Sequence, residues 1–253
     1  MIGIVLPVAD ERILSALTLQ RCKDFTVYTK DEVEEPKLNI VKGGWLDVAE
    51  PLLAFLEPGA TPGPNYVKRI LKATRRHPEF DVYHMNVEGG KAFPRKTSDK
   101  KFFKMVAAED FPAPLSSFVF RAERLRRVAV FKADGITIDT IPSVLMCMGT
   151  KPLRGIWRGT ICWNEPSMSE EHAIMDKLEL FHFSESYFGD KDYPLSVGAQ
   201  MALFAEEIVK LYPARNEQQL KELMDSFDVA KGTVRKMRAN SALKKAIKEK
   251  QEQ

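Results

Sequence analysis

Residues 55–87 read FLEPGATPGPNYVKRILKATRRHPEFDVYHMNV, and the order of patterns within this stretch decides the fold. An apolar run typical of a buried strand ends at Glu57, and a turn rich in proline and glycine follows it. The next segment predicts a helix, because Tyr66, Ile70 and Leu71 share one face and a His-Pro pair ends it. The run DVYHMNVEG then predicts a second strand. Strand, helix and strand in this order indicate a mostly parallel sheet with helices on its faces.

The sequence before this stretch has the same alternation. The runs IGIVLP, FTVYTK and LNIVKGG predict strands, and ERILSALTLQRC between the first two predicts a helix. Because the carboxyl ends of parallel strands meet at one edge of a sheet, ligands of such proteins bind there. We therefore expect four strand ends to converge, namely Pro7 to Asp10, Lys30 with Asp31, Lys42 to Gly44, and Glu57 to Ala60.

The later sequence changes from mixed strands and helices to helices alone. The run SSFVFRAERLRRV predicts a strand that leads into a short helix. The run ITIDTIPSVLMCMG predicts an acid-bearing turn followed by a short helix or strand. The run GIWRGTICWNE predicts an aromatic strand. From about Ser167 onward the pattern is helical, and the turn DKDYP at 190–194 is typical of a boundary. The predicted domains are an α/β domain over 1–190 and a helical C-terminal extension over 191–253.

The composition favours a globular protein in a reducing compartment. Of the 253 residues, 44% are hydrophobic and 29% are charged, which is ordinary for a chain that buries a core. The three cysteines form no Cys-x-x-Cys pair, so neither a zinc site nor a disulfide framework is indicated. The start lacks the features of a signal peptide, and no apolar run approaches the roughly 20 residues that span a bilayer. We expect a cytoplasmic protein, with peripheral contact at the inner face of a membrane left open.

The order of these parts resembles a family 2 glycosyltransferase of the GT-A fold. In that family a first strand ends in a proline-containing loop, and a later strand ends in an acidic motif followed by a proline-rich turn and a helix. The matching runs are IGIVLP, the stretch 55–87, LSSFVFRAERL, IDTIPSVLMCMG and IWRGTICWNEPSMS, which together cover roughly residues 1–170. The resemblance implies transfer of a sugar, with inversion, from a nucleotide sugar to a glycan or lipid-linked acceptor.

The resemblance also implies a donor site for the nucleotide sugar at the converging strand ends. Its predicted residues are Pro7, Asp10, Lys30, Asp31, Lys42, Glu57 and Arg158. Asp31 stands where such enzymes often use an acid on the nucleobase or ribose, and its alternative role is that of a turn or helix-cap residue. The three cations of this set would offset the charge of the diphosphate.

The acidic motif of the family is altered in this chain. Where the family usually has Asp-x-Asp or Asp-Asp, the sequence reads Glu57-Pro58-Gly59-Ala60. A divalent cation needs hard oxygen ligands, so a single Glu, helped by phosphates and water, holds Mg²⁺ or Mn²⁺ only weakly. Glu57 is therefore predicted to be a weak metal ligand. The alternative is that Glu57 simply faces water before a turn.

Asp139, in the run ITIDTIP, is predicted to be the catalytic base. The resemblance places it where the family has a Glu-Asp pair, which here reads Ile138-Asp139. Inverting transfer needs a carboxylate that takes the proton from the acceptor hydroxyl, and apolar neighbours raise the pKa of an Asp and make it a better base. The alternative is that Asp139 caps the following segment, which Pro142 supports.

Three other side chains have both a functional and a structural interpretation. His182 lies on an apolar, aromatic stretch and is interpreted as a core histidine rather than a metal ligand. Trp157 and Trp163 are interpreted as core residues rather than as a stacking surface for a sugar ring.

Two other classes of function stay open. The altered acidic motif also fits a GT-A-fold protein that has lost catalysis and acts as a binding or scaffold subunit. The run LKELMDSFDVAKGTVRKMRA has the spacing of a helix-turn-helix, so a DNA-binding regulator is a third hypothesis, although a net charge of +3 is small for a nucleic-acid partner. The same basic segment would suit an anionic membrane surface. Its cations are Lys231, Arg235, Lys236, Arg238, Lys244, Lys245 and Lys248.

Overall fold

The computed structural model describes residues 1–90, 93–107, 113–132, 137–163, 170–226 and 233–251. Its contacts divide the chain into two compact units, Met1–Pro166 and Ser167–Gln253. The domain boundary that the sequence predicts after residue 190 stays a prediction.

Four parallel strands form one half of the sheet of the first unit, in the order β3-β2-β1-β4. Their bounds are β1 Ile2–Leu6, β2 Phe25–Thr29, β3 Ile40–Lys42 and β4 Leu52–Phe55. All residues of β1, β2 and β4 are buried, which explains why β1 and β4 appear in the sequence as apolar runs and β2 as a run rich in β-branched and aromatic residues. Leu6 lies opposite Thr29, and Thr29 lies opposite Lys42, so these strands end level with one another at one edge.

The other half of the sheet continues in the order β8-β6-β9-β5. Its strands are β5 Ala60–Pro62, β6 Val82–Val87, β7 Lys96–Thr97, β8 Phe118–Arg121 and β9 Leu153–Trp163. β8 runs antiparallel to both β4 and β6, β9 runs parallel to β6, and β5 and β7 pair antiparallel with β9. The sheet is therefore parallel where the predicted site lies and mixed beyond it.

Helices cover this sheet and connect its strands. Their bounds are α1 Glu11–Thr18, α2 Tyr66–Arg76, α3 Asp99–Ala107, α4 Ala122–Val128 and α5 Thr140–Met148. α2 buries Val67, Ile70 and Leu71 in the main core, because residues three and four apart share one face of a helix. The predicted strands and helices of this unit are all present, and the predicted α/β class is confirmed.

The second unit is helical, as the sequence predicts for the C-terminal part. It contains α6 Glu170–Asp192, α7 Val197–Leu211, α8 Glu217–Ser226 and α9 Thr233–Gln251. Leu178, Phe204, Ile208, Leu220 and Leu243 are buried in its own core, to which all four helices contribute. Among the described helices, none combines the length and the apolar character that crossing a bilayer requires.

Candidate functional site

Hydrogen bonds tie the predicted strand ends together at one edge of the sheet. The Ala9 N–H, in the loop after β1, donates to Asp31 Oδ2 at 2.6 Å. The Gly43 N–H, after β3, donates to the Thr29 carbonyl at 2.9 Å, and the Leu56 N–H, after β4, donates to the Val5 carbonyl at 2.9 Å. The structure therefore brings together the four strand ends that the sequence predicts to converge.

The two aspartates of this edge have structural partners. Asp10 caps α1, because its Oδ1 accepts from the N–H groups of Arg12 at 2.7 Å and Ile13 at 3.3 Å. Asp31 is exposed and fixes the loop after β1 through its contact with Ala9. Pro7, directly after β1, is exposed beside that loop. These contacts hold the loop between β1 and α1 in place at this edge of the sheet.

The predicted cations of the donor site lie in different surroundings. Lys42 is exposed and pairs with Glu32, with 3.1 Å between Nζ and Oε1. Lys30 is also exposed, and its stem runs beside Gly44, where an added Cβ would lie 3.5 Å from Lys30 Cε. Arg158 belongs to β9, but its side chain lies outside the described residues, as does that of Trp157.

Glu57 is bound to a buried serine at the carboxyl end of β4. The Glu57 N–H donates to Ser116 Oγ at 2.9 Å, and Glu57 Oε2 accepts from the Ser116 N–H at 3.2 Å and from its hydroxyl at 3.1 Å. Ser116 is fully buried in the 3-10 turn Leu115–Ser117. Burial raises the pKa of Glu57, and the hydrogen bonds from Ser116 and the charge of Lys132 oppose that rise. The carboxylate therefore has a defined structural partner.

The donor set around Glu57 does not fit a divalent cation held by the protein itself. Within the described parts of the chain, no group of three or more His, Cys, Asp or Glu side chains is arranged to hold a metal ion. The Oε2 atom of Glu57 already accepts two hydrogen bonds from Ser116. Since Mg²⁺ and Mn²⁺ need several hard oxygen ligands, Glu57 offers at most one of them.

Asp139 lies at the end of a small hairpin. Phe131 and Ile138 form an antiparallel bridge, the Lys132 N–H donates to the Thr137 carbonyl at 2.8 Å, and the Asp139 N–H donates to the Val130 carbonyl at 2.8 Å. Asp139 precedes α5, and its half-buried side chain makes no capping hydrogen bond to that helix. Asp139 therefore precedes a helix, as its alternative role requires, but its side chain does not cap that helix.

This hairpin lies at the same edge as the strand ends. The ring of Phe131 contacts the ring of Trp45, with 6.1 Å between the centroids, and Trp45 starts the 3-10 turn that follows β3. Next to Phe131, Lys132 lies close enough to Glu57 for its positive charge to lower the pKa of that carboxyl. The contact between Phe131 and Trp45 thus places the segment before Asp139 beside the turn that follows β3.

Sequence reasoning missed Trp45, Ser116, Phe131 and Lys132. Ser116 lies within the run LSSFVFRAERL but carries no predicted role there, and the contacts of all four residues join segments that are distant in the chain. The available signal was position alone: Ser116 lies two residues before a strand, and Phe131 and Lys132 precede the acid-bearing turn.

Two other side chains lie apart from these strand ends. His182 is exposed on α6, so its interpretation as a core histidine is wrong; the buried positions of that helix include Leu178 and Phe181 instead. Trp163 lies opposite Ala60 across β5 and β9 and packs, partly buried, against the main core. That placement agrees with its structural interpretation.

Comparison with known proteins relates this fold to glycosyltransferases. No protein-family model matches the chain, and no curated protein does. Among solved structures, residues 1–349 of S. aureus TarS in complex with UDP-GlcNAc give a TM-score of 0.57 at 9% identity, over 99% of this chain and 91% of that one. The mannosyltransferase PcManGT from Pyrobaculum calidifontis, in complex with GDP-Man and Mn²⁺, gives a TM-score of 0.51 at 11% identity, over 97% of this chain and 85% of that one. The chain therefore has the GT-A-like α/β fold that its sequence predicts.

Proposed function

We propose that this chain is a glycosyltransferase that moves a sugar from a nucleotide sugar to a hydroxyl group of a glycan or lipid-linked acceptor, with inversion. The observation that carries the proposal is that the strand ends of β1, β2, β3 and β4 and the hairpin before Asp139 meet at one edge. The fold neighbours bound to UDP-GlcNAc and GDP-Man support a nucleotide sugar as the donor.

In the proposed donor site each part of the nucleotide sugar has its own neighbours. The nucleoside lies against the loop of Pro7 to Asp10, whose position Asp31 fixes by accepting from Ala9. Lys30, Lys42 and Arg158 act on the diphosphate as positive charges. Glu57 marks the end of the strand beside the transferred sugar. A weakly bound Mg²⁺ or Mn²⁺, where present, would add positive charge at the diphosphate.

Asp139 is the proposed general base. Its carboxylate takes the proton of the acceptor hydroxyl while that oxygen forms a bond to the anomeric carbon of the donor. The bond between that carbon and the diphosphate oxygen breaks, and the nucleoside diphosphate leaves with the bonding electrons. A single displacement of this kind inverts the configuration at the anomeric carbon.

The first prediction tests donor binding and the base together. Calorimetry with UDP and GDP should show binding by the wild-type chain. Asp139→Asn should keep that binding and lower turnover by about 10²-fold or more, the scale of a lost general base. The control is Asp99→Asn, on α3 and outside the proposed site, which should keep both. Absence of binding to either nucleotide at millimolar concentration would contradict the proposed function, and unchanged turnover in Asp139→Asn would remove this residue from the mechanism.

A binding or scaffold role without catalysis is the second candidate. The observation that favours it is the Glu57 carboxylate, which Ser116 already binds and which has lost the partner acids of the family motif. A chain of this kind would bind nucleotides but release no free nucleoside diphosphate from UDP- or GDP-sugars. Nucleotide binding combined with turnover in the presence of an acceptor distinguishes the two.

The helical part is proposed to serve the acceptor side through its charged surface. On α9, Ala239 and Leu243 pack into the core of the second unit, while Arg238, Lys244 and Lys248 are exposed. This face suits the headgroups of an anionic membrane that carries a lipid-linked acceptor. The DNA-binding alternative depends on the turn FDVAKG and on Lys231, which lie outside the described residues, and on Arg235 and Lys236, whose side chains do as well.

A further inference from the structure

A cavity of about 650 Å³ lies at the edge of the sheet opposite to the proposed donor site. Its wall includes Pro51, directly before β4, Asp81, directly before β6, and Arg121, the last residue of β8. None of the predicted donor-site residues is among the described residues of this wall. A volume of this size is typical of sites that bind small molecules.

Two half-buried arginines of the wall are held by neutral groups. Arg124 Nε and Nη2 donate to the carbonyls of Cys147 at 3.3 Å and Met146 at 3.0 Å, at the end of α5. Arg121 Nη2 donates to the Pro78 carbonyl at 2.9 Å. Since a carbonyl carries no net charge, these bonds fix the two guanidinium groups in position without neutralising them.

The acids of the wall each have another partner. The pairs are Asp81 with Lys151 at 2.9 Å, Glu123 with Arg127, and Glu50 with the Tyr28 hydroxyl at 2.8 Å. Arg126, which also lines the cavity, donates to the Val48 carbonyl. Within the described parts of the chain, Arg121, Arg124 and Arg126 form no ion pair with a carboxylate. Three guanidinium charges therefore border one cavity, where a bound anion would meet all of them.

We propose that this cavity is a second binding site, for a small soluble molecule that carries a phosphate group, and that Arg121, Arg124 and Arg126 bind the phosphate oxygens. A phosphate group offers three acceptor oxygens to guanidinium groups from different segments, whereas a carboxylate offers two. Ala49, Pro51 and Ala122 line the cavity beside these cations and give the rest of the molecule an apolar surface. This inference is independent of the glycosyltransferase proposal, since the two sites lie at opposite edges of the sheet.

The test measures the binding of simple anions to the full chain. Calorimetry at constant ionic strength compares pyrophosphate, inorganic phosphate and acetate, for the wild type, Arg124→Gln, Arg124→Lys and Arg126→Gln. The matched control is Arg215→Gln, which removes the same charge from an exposed position of the second unit. We expect pyrophosphate to bind more tightly than phosphate, and acetate to bind far more weakly than either. Arg124→Gln should weaken pyrophosphate binding by about tenfold, the scale of one lost hydrogen bond to a charged group, and the more exposed Arg126→Gln by about threefold.

A role of these arginines in folding alone would leave the affinity for pyrophosphate unchanged. Thermal unfolding of each variant accompanies the titrations, because Arg124 also binds the end of α5. Arg124→Lys keeps the charge but loses the planar fork, so its affinity should lie between those of the wild type and Arg124→Gln, while Arg215→Gln should match the wild type.

Three results would overturn the inference. They are a wild type that binds no pyrophosphate at millimolar concentration, equal pyrophosphate affinity in the wild type and both glutamine variants, and acetate binding as tight as that of phosphate. The glycosyltransferase proposal would stand after any of them, because the binding of UDP and GDP tests it separately.

Discussion

His84, in β6, is enclosed by aromatic rings rather than by polar groups. The centroids of Phe93 and Phe118 lie 4.4 Å and 5.0 Å from that of its imidazole, and only 1% of the residue is exposed. Both ring nitrogens lack a hydrogen-bond partner in the described part of the chain. Burial lowers the pKa of His84 to about 3, because the charged form loses its hydration.

This burial predicts a loss of stability in acid. The pKa of His84 in the folded state lies below the value of about 6.5 in an unfolded chain, so the unfolded state binds the proton first as the pH falls. The contribution of the neutral His84 to the free energy of unfolding is fully present above about pH 6.5. It is lost as the pH falls toward 3, at up to about 1.4 kcal/mol per pH unit. Urea unfolding at several pH values measures this slope, and His84→Leu should reduce it.

A core substitution without a titratable group is the control for this prediction. Phe93→Leu removes an aromatic ring that packs against His84 and should lower the free energy of unfolding at every pH. The dependence of that free energy on pH should stay as in the wild type. If His84→Leu and Phe93→Leu show the same slope, the acid sensitivity has another source.

The contact between Glu57 and Ser116 predicts that replacing Ser116 by alanine lowers the stability more than replacing its neighbour Ser117. Ser116 and Ser117 are both fully buried, but Ser117 Oγ donates only to the Pro114 carbonyl, at 2.7 Å. Ser116→Ala removes a bond to a half-buried carboxylate as well as the acceptor of the Glu57 N–H, and should cost about 2–3 kcal/mol. Ser117→Ala should cost about 1 kcal/mol. Denaturant unfolding of both variants checks the order, and a larger loss in Ser117→Ala would contradict it.

At the scale of elements, the sequence predicts where the strands lie in the chain but not the direction in which they pair. β1 and β4 could be predicted because burial on both faces favours continuous apolar runs, and β2 because it is rich in β-branched and aromatic residues. The antiparallel insertion of β8 between β4 and β6 could not, because a strand pattern is the same in either direction. The position of Asp139 directly before α5 could likewise be predicted from the sequence. The pairing of Phe131 with Ile138 and the contact of Phe131 with Trp45 could not, because no local pattern records contacts between distant segments.

The helical unit contains a largely buried ion pair, and we expect a large loss of stability only when one of its two partners is removed. Lys177 on α6 and Glu207 on α7 lie 3.3 Å apart, and each side chain is only 10% exposed. Lys177→Met removes the shorter contact and keeps the contact between Glu207 and Lys210, at 4.0 Å, and it should destabilise the chain by about 3 kcal/mol. The double variant Lys177→Met, Glu207→Leu should recover most of this loss, because it removes both charges of the pair.

Thermal and urea unfolding of the single and double variants check this prediction. The exposed pair Lys245 and Glu249, 3.4 Å apart on α9, offers a control, because Lys245→Met should cost less than about 1 kcal/mol. A double variant less stable than Lys177→Met alone would contradict the prediction, because removing both charges would then cost more free energy of unfolding than removing one.

At the scale of the whole molecule, the small net charge conceals an uneven distribution. The formal charge of the chain is +3, yet the exposed side of α9 carries Arg238, Lys244, Lys245 and Lys248. Its apolar residues Ala239, Leu243 and Ala246 are buried at helical spacing on the other side. Helix packing thus turns this set of cations outward, and it leaves Met237 69% exposed among them.

The last prediction concerns this surface and its partner. Replacing Lys244, Lys245 and Lys248 by Gln should weaken binding to vesicles that contain phosphatidylserine, because each cation near an anionic bilayer contributes about 1 kcal/mol. The control replaces Lys68, Lys72 and Arg76, which are exposed on α2, and so makes the same change in net charge. Vesicle sedimentation at rising salt should show a steep loss of binding for the wild type and the control alike.

The same variants separate a membrane from DNA. Phosphate contacts carry no sequence information, whereas a recognition helix reads base edges, so a random DNA pool distinguishes the two partners. We expect the wild type to select no motif, and the α9 variant to lose vesicle binding while keeping turnover with a soluble acceptor, since Asp139 belongs to the first unit. Selection of one DNA motif by the wild type and not by the α9 variant would contradict the membrane assignment and favour the helix-turn-helix interpretation.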